Sequence, residues 1–196
     1  MPLLPRRVLP CSGPSLARHD EVMTFATYSV HPTPIGEALS VTTDEGLVAL
    51  SVLDGPAYAE VARLSLLLHV VPVADDEPAA SLADEIDEYF AGERRTFTTA
   101  LDWRLTAGFT RRALEAIAEV PYGETASYAE VAIAAGAPRA HRAVGTACAR
   151  TPWSIVVPAH RVIRSDGSMG EYGGHPERKR FLLDLEERVV SERGRA

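Results

Sequence analysis

Residues 155–163 read IVVPAHRVI, a short apolar strand interrupted by a Pro-Ala-His-Arg turn. Tyr172, Gly173 and Gly174 follow this strand. The turn contains His160, whose imidazole can exchange protons near neutral pH. It also contains Ala159, whose methyl side chain cannot act as a nucleophile. These residues make the turn the first candidate functional site in the sequence.

Two short helices separated by a tight turn are predicted upstream of this stretch. The first opens with a capping box, because Ser127 is followed three residues later by Glu130, and it extends to Ala135. Residues 136–138 form the turn and residues 139–150 the second helix, which is the helix-turn-helix pattern. The second helix consists largely of small residues, so its backbone can press closely against a groove or another helix. These residues are Ala140, Ala143, Gly145, Ala147 and Ala149.

The N-terminal half predicts a small antiparallel sheet with helices. Strands are expected at 25–30, 38–42 and 47–53, and residues 43–46 predict a hairpin turn between the last two. Helical patterns occupy 57–68 and 79–90, and the second ends in Ala91-Gly92, where a C-terminal glycine is expected. A linker at 96–104 separates this half from further helices that begin near Phe109 and Pro176.

The expected fold class is therefore α+β, with two domains. An N-terminal domain of structural role is predicted at 23–100. A mostly helical C-terminal domain with the helix-turn-helix is predicted at 101–190. Residues 1–22 are expected to be a flexible extension and residues 191–196 a tail.

Composition narrows the possible functions. The chain has 196 residues, of which 46% are apolar, and its longest apolar segment, 64–73, is interrupted by His69 and Pro72. We therefore expect a globular monomer without a membrane contact. The two cysteines, Cys11 and Cys148, cannot build a disulfide framework or a four-thiolate zinc site. The sequence thus predicts a cytoplasmic protein with neither a metal nor another cofactor.

The charge is unevenly distributed along the chain. The net charge is −7, which by itself disfavours a polyanionic partner. However, residues 75–93 hold eight acidic residues and no basic one, whereas residues 139–180 hold eight basic residues and three acidic ones. A nucleic acid therefore remains a candidate partner for the C-terminal half.

Several motifs occur in a fixed order, from Pro121-Tyr122-Gly123-Glu124-Thr125 and Ser127-Tyr128 through Arg142-Ala143-Val144-Gly145 and residues 158–163 to Tyr172-Gly173-Gly174, Lys179 and Glu186. In this order they resemble the O6-alkylguanine-DNA alkyltransferase family, over roughly residues 23–186. The N-terminal part of the resemblance rests on Tyr89-Phe90-Ala91-Gly92. The resemblance implies a DNA repair protein that flips O6-alkylguanine out of duplex DNA into a pocket.

The resemblance has one major departure, at Ala159. The family's signature is Pro-Cys-His-Arg, in which the cysteine thiolate takes the alkyl group irreversibly, and alanine cannot do so. By resemblance, His160 is the imidazole and Glu186 the carboxylate of the relay that activates that cysteine. Outside the predicted extension at 1–22, the sequence has one cysteine, Cys148, which is the candidate for a relocated nucleophile.

Three interpretations stay open. The first is an alkyltransferase-like protein that binds alkylated DNA without repairing it, and that shields the lesion or flags it for other repair factors. The second is an alkyltransferase carrying an inactivating Cys-to-Ala change. The third, from another class, is a helix-turn-helix transcriptional regulator, although alanine and glycine on the second helix offer little readout of base edges.

The resemblance also assigns the DNA contacts. Arg142 fills the space left in the base stack, Tyr128 crowds the phosphate and promotes rotation, and the second helix docks in the minor groove. Basic residues should contact phosphates and release counterions. They are Arg139, Arg150 and Arg161.

The base pocket is expected from Tyr172 and from the backbone of Val162 and Gly173, which can read the base edge without adding a charge. Thr151 stands where the family has an asparagine that ties the DNA-binding helix to the active-site turn. A threonine can make this link only through its single hydroxyl.

Overall fold

The computed structural model describes residues 25–194, so the predicted extension at 1–22 and the end of the predicted tail lie outside the described residues. Three antiparallel strands form most of the N-terminal sheet: β1 (Ala26–Thr33), β2 (Gly36–Thr43) and β3 (Gly46–Val52). The hairpin turn predicted at 43–46 joins β2 to β3, where Thr43 pairs with Gly46. Gly46 has a φ of 131°, a conformation that favours glycine.

A fourth strand was not predicted. Strand β4 (Val73–Ala74) pairs parallel with β1, and the sheet order is β3-β2-β1-β4. The sheet is therefore mixed rather than purely antiparallel. A strand of two residues offers no alternation from which a period could be read, which explains why the sequence pattern did not indicate it.

Two helices accompany the sheet, close to their predicted bounds. Helix α1 (Ala57–Leu68) buries Leu64 against the apolar side chains of the sheet. Helix α2 (Ala80–Phe90) ends just before Gly92, as predicted, and Gly92 has a φ of 78°. A Cβ at this position would lie 2.6 Å from Cγ2 of Val189, so the helix end requires glycine both for its conformation and for space.

Three helices form the body of the C-terminal half: α3 (Gly108–Ala118), α4 (Tyr128–Ala134) and α5 (His141–Ala149). The predicted capping box is present at the start of α4, where the Ser127 and Glu130 side chains each accept a hydrogen bond from the other's backbone N–H. The α+β fold class is confirmed.

Helix α5 begins at His141 rather than at Arg139, so the connection between α4 and α5 spans residues 135–140. The reason is local, because the Ala140 N–H bonds to the Ala137 carbonyl in a turn instead of joining the helix. Arg139 therefore lies in the connection and Arg150 lies just beyond the last residue of α5.

The apolar run at 155–163 does not form the predicted strand. Residues 152–154 instead attach to β3, because Leu50 N–H donates to the Pro152 carbonyl and Ser154 N–H donates to the Leu50 carbonyl. Residues 159–161 form one turn of 3-10 helix. Only β6 (Val162–Ile163) is extended, and it pairs in parallel with β5 (Ala126–Ser127). The Pro-Ala-His-Arg turn therefore lies between a segment that is bonded to the N-terminal sheet and a strand that pairs within the C-terminal half.

The last helix, α6 (Pro176–Arg193), starts where predicted and continues into the predicted tail. Its buried residues Leu182, Leu185 and Val189 pack against Ile35, Tyr89 and Ile155, so it contacts both halves. Within residues 25–194, no helix combines the length and the apolarity that crossing a membrane requires. In the same part of the chain, no group of three or more His, Cys, Asp or Glu side chains is placed to hold a metal ion.

Candidate functional site

The 3-10 turn places the His160 imidazole against the Glu186 carboxylate on the inner face of α6. Nε2 of His160 lies 2.9 Å from Oε1 of Glu186, and at most 1% of either side chain is exposed. The structure therefore brings into direct hydrogen-bond contact the two residues that the resemblance assigned to the relay.

Besides His160, three residues within 25–194 donate hydrogen bonds to the Glu186 carboxylate. Arg161 donates through Nε to Oε2 and through Nη2 to Oε1, both at 2.9 Å. The Gly123 N–H donates to Oε2 at 2.9 Å, and the Tyr89 hydroxyl donates to Oε1 at 2.7 Å. With His160, these groups occupy both oxygens of the carboxylate, which fixes its position and offsets the cost of burying its charge.

Arg161 corrects the predicted set of phosphate contacts. Arg161 is only 6% exposed. Its guanidinium donates hydrogen bonds to Glu186, and Nη1 donates to the Val120 carbonyl at 2.7 Å. A guanidinium held in this way cannot reach a DNA backbone. The prediction of Arg161 as a DNA-binding residue is therefore wrong, and Arg161 is the buried counter-ion of Glu186.

The protonation states of the pair follow from its surroundings. Burial alone raises the pKa of Glu186, but the hydrogen bonds and charges of His160 and Arg161 outweigh it and bring the pKa to about 2. Burial lowers the pKa of His160. The carboxylate is therefore ionised and the imidazole neutral at pH 7, with the imidazole proton on Nε2, which faces the carboxylate.

The second imidazole nitrogen, Nδ1 of His160, is consequently an acceptor. It is buried and has no hydrogen-bond partner among residues 25–194. A neutral imidazole that is oriented by a carboxylate and has its second nitrogen free is the arrangement that a general base requires. The residue before it, Ala159, is 2% exposed and carries no group that could donate a proton.

The environment of Cys148 disfavours the thiolate form that it would need to replace the missing nucleophile. Burial raises the pKa of its thiol to about 12, and the nearby Lys179 charge only partly opposes this. The reactive form of cysteine is the thiolate, which is therefore very scarce at Cys148 near neutral pH.

The residues predicted for the base pocket are only partly assembled. Tyr172 and Gly173 line a cavity of about 120 Å³, whose wall also includes Cys148 and Thr151. Val162 is fully buried and lies outside this lining, and its carbonyl accepts a hydrogen bond from Lys179 Nζ at 2.6 Å. The Tyr172 ring stands edge-on to the His160 ring, with centroids 6.4 Å apart, and so connects the cavity to the relay.

Thr151 makes a local contact in this region. Its hydroxyl accepts a hydrogen bond from the Trp153 N–H at 3.3 Å. This bond supports the start of the segment that leads to the turn, at the end of α5.

A larger groove of about 920 Å³ runs along α5. Tyr128, Arg142 and Gly145 line it from α4 and α5, and Arg164 and Glu171 line it from the segment that follows β6. Tyr128 packs closely on Gly170, since a Cβ at position 170 would lie 2.8 Å from the Tyr128 hydroxyl. The predicted DNA contacts Arg139, Arg142 and Arg150 are all exposed, and they lie in α5 or within two residues of its ends.

Sequence reasoning missed two buried members of the site. Tyr89 was noted only as part of a motif in a domain of structural role, and Lys179 only as part of the motif order. Both side chains are almost completely buried. The helical spacing of Leu82, Ile86 and Tyr89 could have indicated that Tyr89 faces inward, but not which carboxylate its hydroxyl meets.

Two family models match the chain. The 6-O-methylguanine DNA methyltransferase ribonuclease-like domain matches residues 26–103, and the DNA binding domain of the same family matches residues 108–188.

Individual relatives agree with these matches. The methylated-DNA–protein-cysteine methyltransferase of Methanosarcina barkeri is 36% identical over 160 residues, which cover 82% of this chain and 96% of that protein. The protein of the same name from Mycobacterium tuberculosis is 50% identical over 103 residues, which cover 53% of this chain and 62% of that protein.

Solved structures share the fold over more than four fifths of the chain. The crystal structure of the Mycobacterium tuberculosis O6-methylguanine methyltransferase has a TM-score of 0.74 at 35% identity, covering 84% of this chain and 94% of that one. The structure of the same protein in complex with DNA has a TM-score of 0.72 at 36% identity, covering 83% and 94%. Because the similarity extends over both halves and along nearly the full length of a curated relative, the chain belongs to the O6-alkylguanine-DNA alkyltransferase family of DNA repair proteins and includes its DNA-binding domain.

Proposed function

We propose that this chain recognises O6-alkylguanine in duplex DNA by flipping the base into a pocket, and that it does not transfer the alkyl group to itself. The observation that carries the proposal is the buried His160–Glu186 pair, which is fully formed beside a residue, Ala159, that has no nucleophilic atom. The activating machinery is present and the acceptor is not.

The face formed by α5 and its flanking loops is the proposed DNA interface. Arg142 enters the base stack, and Tyr128 rotates the nucleotide towards the cavity beside Tyr172 and Gly173. The small residues of α5 fit the minor groove, and Arg139 and Arg150 contact phosphates. The relative that was crystallised in complex with DNA supports this interface, since its fold matches the present one over most of both chains.

The cost of extrusion gives the proposed complex its selectivity. Unstacking a nucleotide costs a few kcal/mol, and an alkylated guanine, which pairs poorly, costs least. The protein then acts as a sensor that shields the lesion or marks it for other repair factors. We place this function in the cytoplasm, on chromosomal DNA.

The test is the affinity of the full chain for a duplex with one O6-methylguanine, compared with the same unmodified duplex at about 0.15 M salt. We expect a preference of about tenfold or more, near 1.4 kcal/mol, and intact-mass measurement should detect no methylated protein. The Arg142→Ala variant should lose the preference. Arg111→Ala, which removes an exposed arginine outside the groove, should keep it. Equal affinity for both duplexes, or methylation of the protein, would refute the proposal.

A further inference from the structure

Among the residues that the structure describes, Tyr89 is the one member of the hydrogen-bond network around Glu186 that comes from the N-terminal half. It lies in the last turn of α2, and its hydroxyl donates to Oε1 of Glu186 at 2.7 Å. Oε1 is the same oxygen that faces Nε2 of His160 at 2.9 Å. The hydroxyl oxygen also lies 3.5 Å from Nε2 itself. Because Nη2 of Arg161 also donates to Oε1, at 2.9 Å, Tyr89 and His160 share this oxygen with a buried guanidinium.

We propose that Tyr89 is a positioning residue of the relay, whose hydroxyl competes with His160 for Oε1 of Glu186 and thereby sets how strongly the carboxylate holds the Nε2 proton. Each hydrogen bond donated to a carboxylate spreads part of its charge and weakens its attraction for the remaining donors. With the hydroxyl in place, the carboxylate orients His160 without making it strongly basic. Without it, the bond between Nε2 and Oε1 shortens and the imidazole becomes a stronger base.

The Tyr89 side chain is built for a fixed geometry. Its ring packs edge-on against Phe90 and Tyr122, with centroids 5.4 and 5.9 Å away. Helix α2 ends one residue after Tyr89, and Gly92 then packs closely against Val189 of α6. Burial, followed by the neighbouring Glu186 charge, raises the pKa of Tyr89 well above its usual value, so the hydroxyl keeps its proton at neutral pH.

Tyr122 offers a matched control. Its hydroxyl is also buried, but it has no hydrogen-bond partner among residues 25–194. Tyr89→Phe and Tyr122→Phe thus remove the same atom from neighbouring rings in the same core, and only the first removal deprives Glu186 of a donor.

The experiment follows the His160 ring by NMR in the full chain labelled with 15N-histidine, with the signals assigned by their loss in His160→Gln. In the unchanged protein we expect the proton on Nε2. Tyr89→Phe should move the Nε2–H resonance downfield, which is the direction of a stronger hydrogen bond, and Tyr122→Phe should leave it in place. An unmoved resonance in Tyr89→Phe, or an equal movement in both variants, would overturn the proposal.

A second substitution covers the case in which Tyr89→Phe fails to fold. Site-specific fluorotyrosine at position 89 keeps the ring shape but makes the hydroxyl a stronger donor, so the same resonance should move upfield. A downfield movement, or none, would contradict the competition for Oε1.

The link to catalysis rests on the proposed function and needs a separate readout. In an Ala159→Cys background, adding Tyr89→Phe should displace the acid limb of the pH–rate profile of alkyl transfer to higher pH, because the imidazole is then more basic. Adding Tyr122→Phe should not displace it. If Ala159→Cys transfers nothing, the relay does not activate a cysteine at position 159, whereas the NMR comparison still decides the role of Tyr89 and the affinity comparison of the two duplexes still decides the proposed function.

Discussion

Arg161 and Glu186, 25 residues apart in sequence, form a buried two-point ion pair in which Nε and Nη2 of the guanidinium each lie 2.9 Å from a carboxylate oxygen. The pair joins the 3-10 turn to α6, and the same carboxylate orients His160. The position of the His160 imidazole is therefore set by the charge of the Glu186 carboxylate, which is almost completely buried.

Arg161→Ala should destabilise the protein by about 3–5 kcal/mol, because it leaves the Glu186 charge buried without its main partner. Arg142→Ala, in contrast, removes an exposed guanidinium and should change stability by less than about 0.5 kcal/mol while weakening DNA binding. Urea unfolding and DNA titration of both variants measure the two effects. Equal stability losses would show that Arg161 is not the counter-ion described here.

Ala159→Cys should convert the protein from one that makes no adduct to one that takes up a single methyl group per chain from O6-methylguanine DNA. The neutral His160 imidazole and the Glu186 carboxylate are already in place to accept the thiol proton. Intact-mass measurement follows the transfer. Ala159→Ser is the matched control, since a hydroxyl is a far weaker nucleophile towards an alkyl carbon than a thiolate.

Adding His160→Gln to Ala159→Cys should slow the transfer by about 10²- to 10⁴-fold, the usual contribution of a general base. An undiminished rate would mean that the cysteine is activated by something other than the relay.

Acid should lower the free energy of unfolding in two successive stages, because both pKa shifts act in the same direction. The pKa of buried His160 is depressed below its usual 6.5, so the unfolded chain binds more protons and stability begins to fall below pH 6.5. The pKa of Glu186 falls from 4.5 to about 2 on folding, so roughly 3 kcal/mol, present above pH 4.5, is lost as the pH drops towards 2. Urea titrations between pH 7 and pH 2.5 measure both stages.

Glu186→Gln provides the comparison for this pH series. The glutamine variant cannot titrate at this position, so the second stage of the stability loss should become shallower, whatever its stability at neutral pH. A slope that stays unchanged would assign the acid sensitivity to other carboxylates.

Cys148 should resist alkylation in the folded protein. Its pKa rises from 9.0 to about 12, which reduces the thiolate population about a thousandfold at neutral pH. In a Cys11→Ser background only one thiol remains, so the rate of its reaction with iodoacetamide can be compared between the native chain and the same chain in urea. Similar rates in both states would restore Cys148 as a possible acceptor.

The sequence predicted features that depend on short-range patterns. The 43–46 hairpin turn, the capping box of Ser127 and Glu130 and the glycine end of α2 all follow rules that operate within a few residues. The contact between His160 and Glu186 came from the family resemblance instead, since neither periodicity nor spacing links positions 26 residues apart.

The errors involve residues whose environment is created by tertiary packing. Arg161 is predicted as a phosphate contact because it is one of the basic residues of the C-terminal half, whereas packing buries it against Glu186 and the Val120 carbonyl. Tyr89 joins Glu186 across 97 positions, and such a contact leaves no local signal. The run at 155–163 has strand-like composition, but bonds between residues 152–154 and β3 determine its path.

Those main-chain hydrogen bonds between residues 152–154 and β3 join the C-terminal half directly to the N-terminal sheet. The Leu47 carbonyl also receives a hydrogen bond from Nε1 of the fully buried Trp153, so residues just ahead of the turn are fastened to the N-terminal sheet. Unfolding of the N-terminal half would release the turn, remove the hydrogen bond that Tyr89 of α2 donates to Glu186, and expose the core beneath α6. The N-terminal half is accordingly part of the same cooperative folding unit, and thermal melting monitored through either half should give one transition at one temperature.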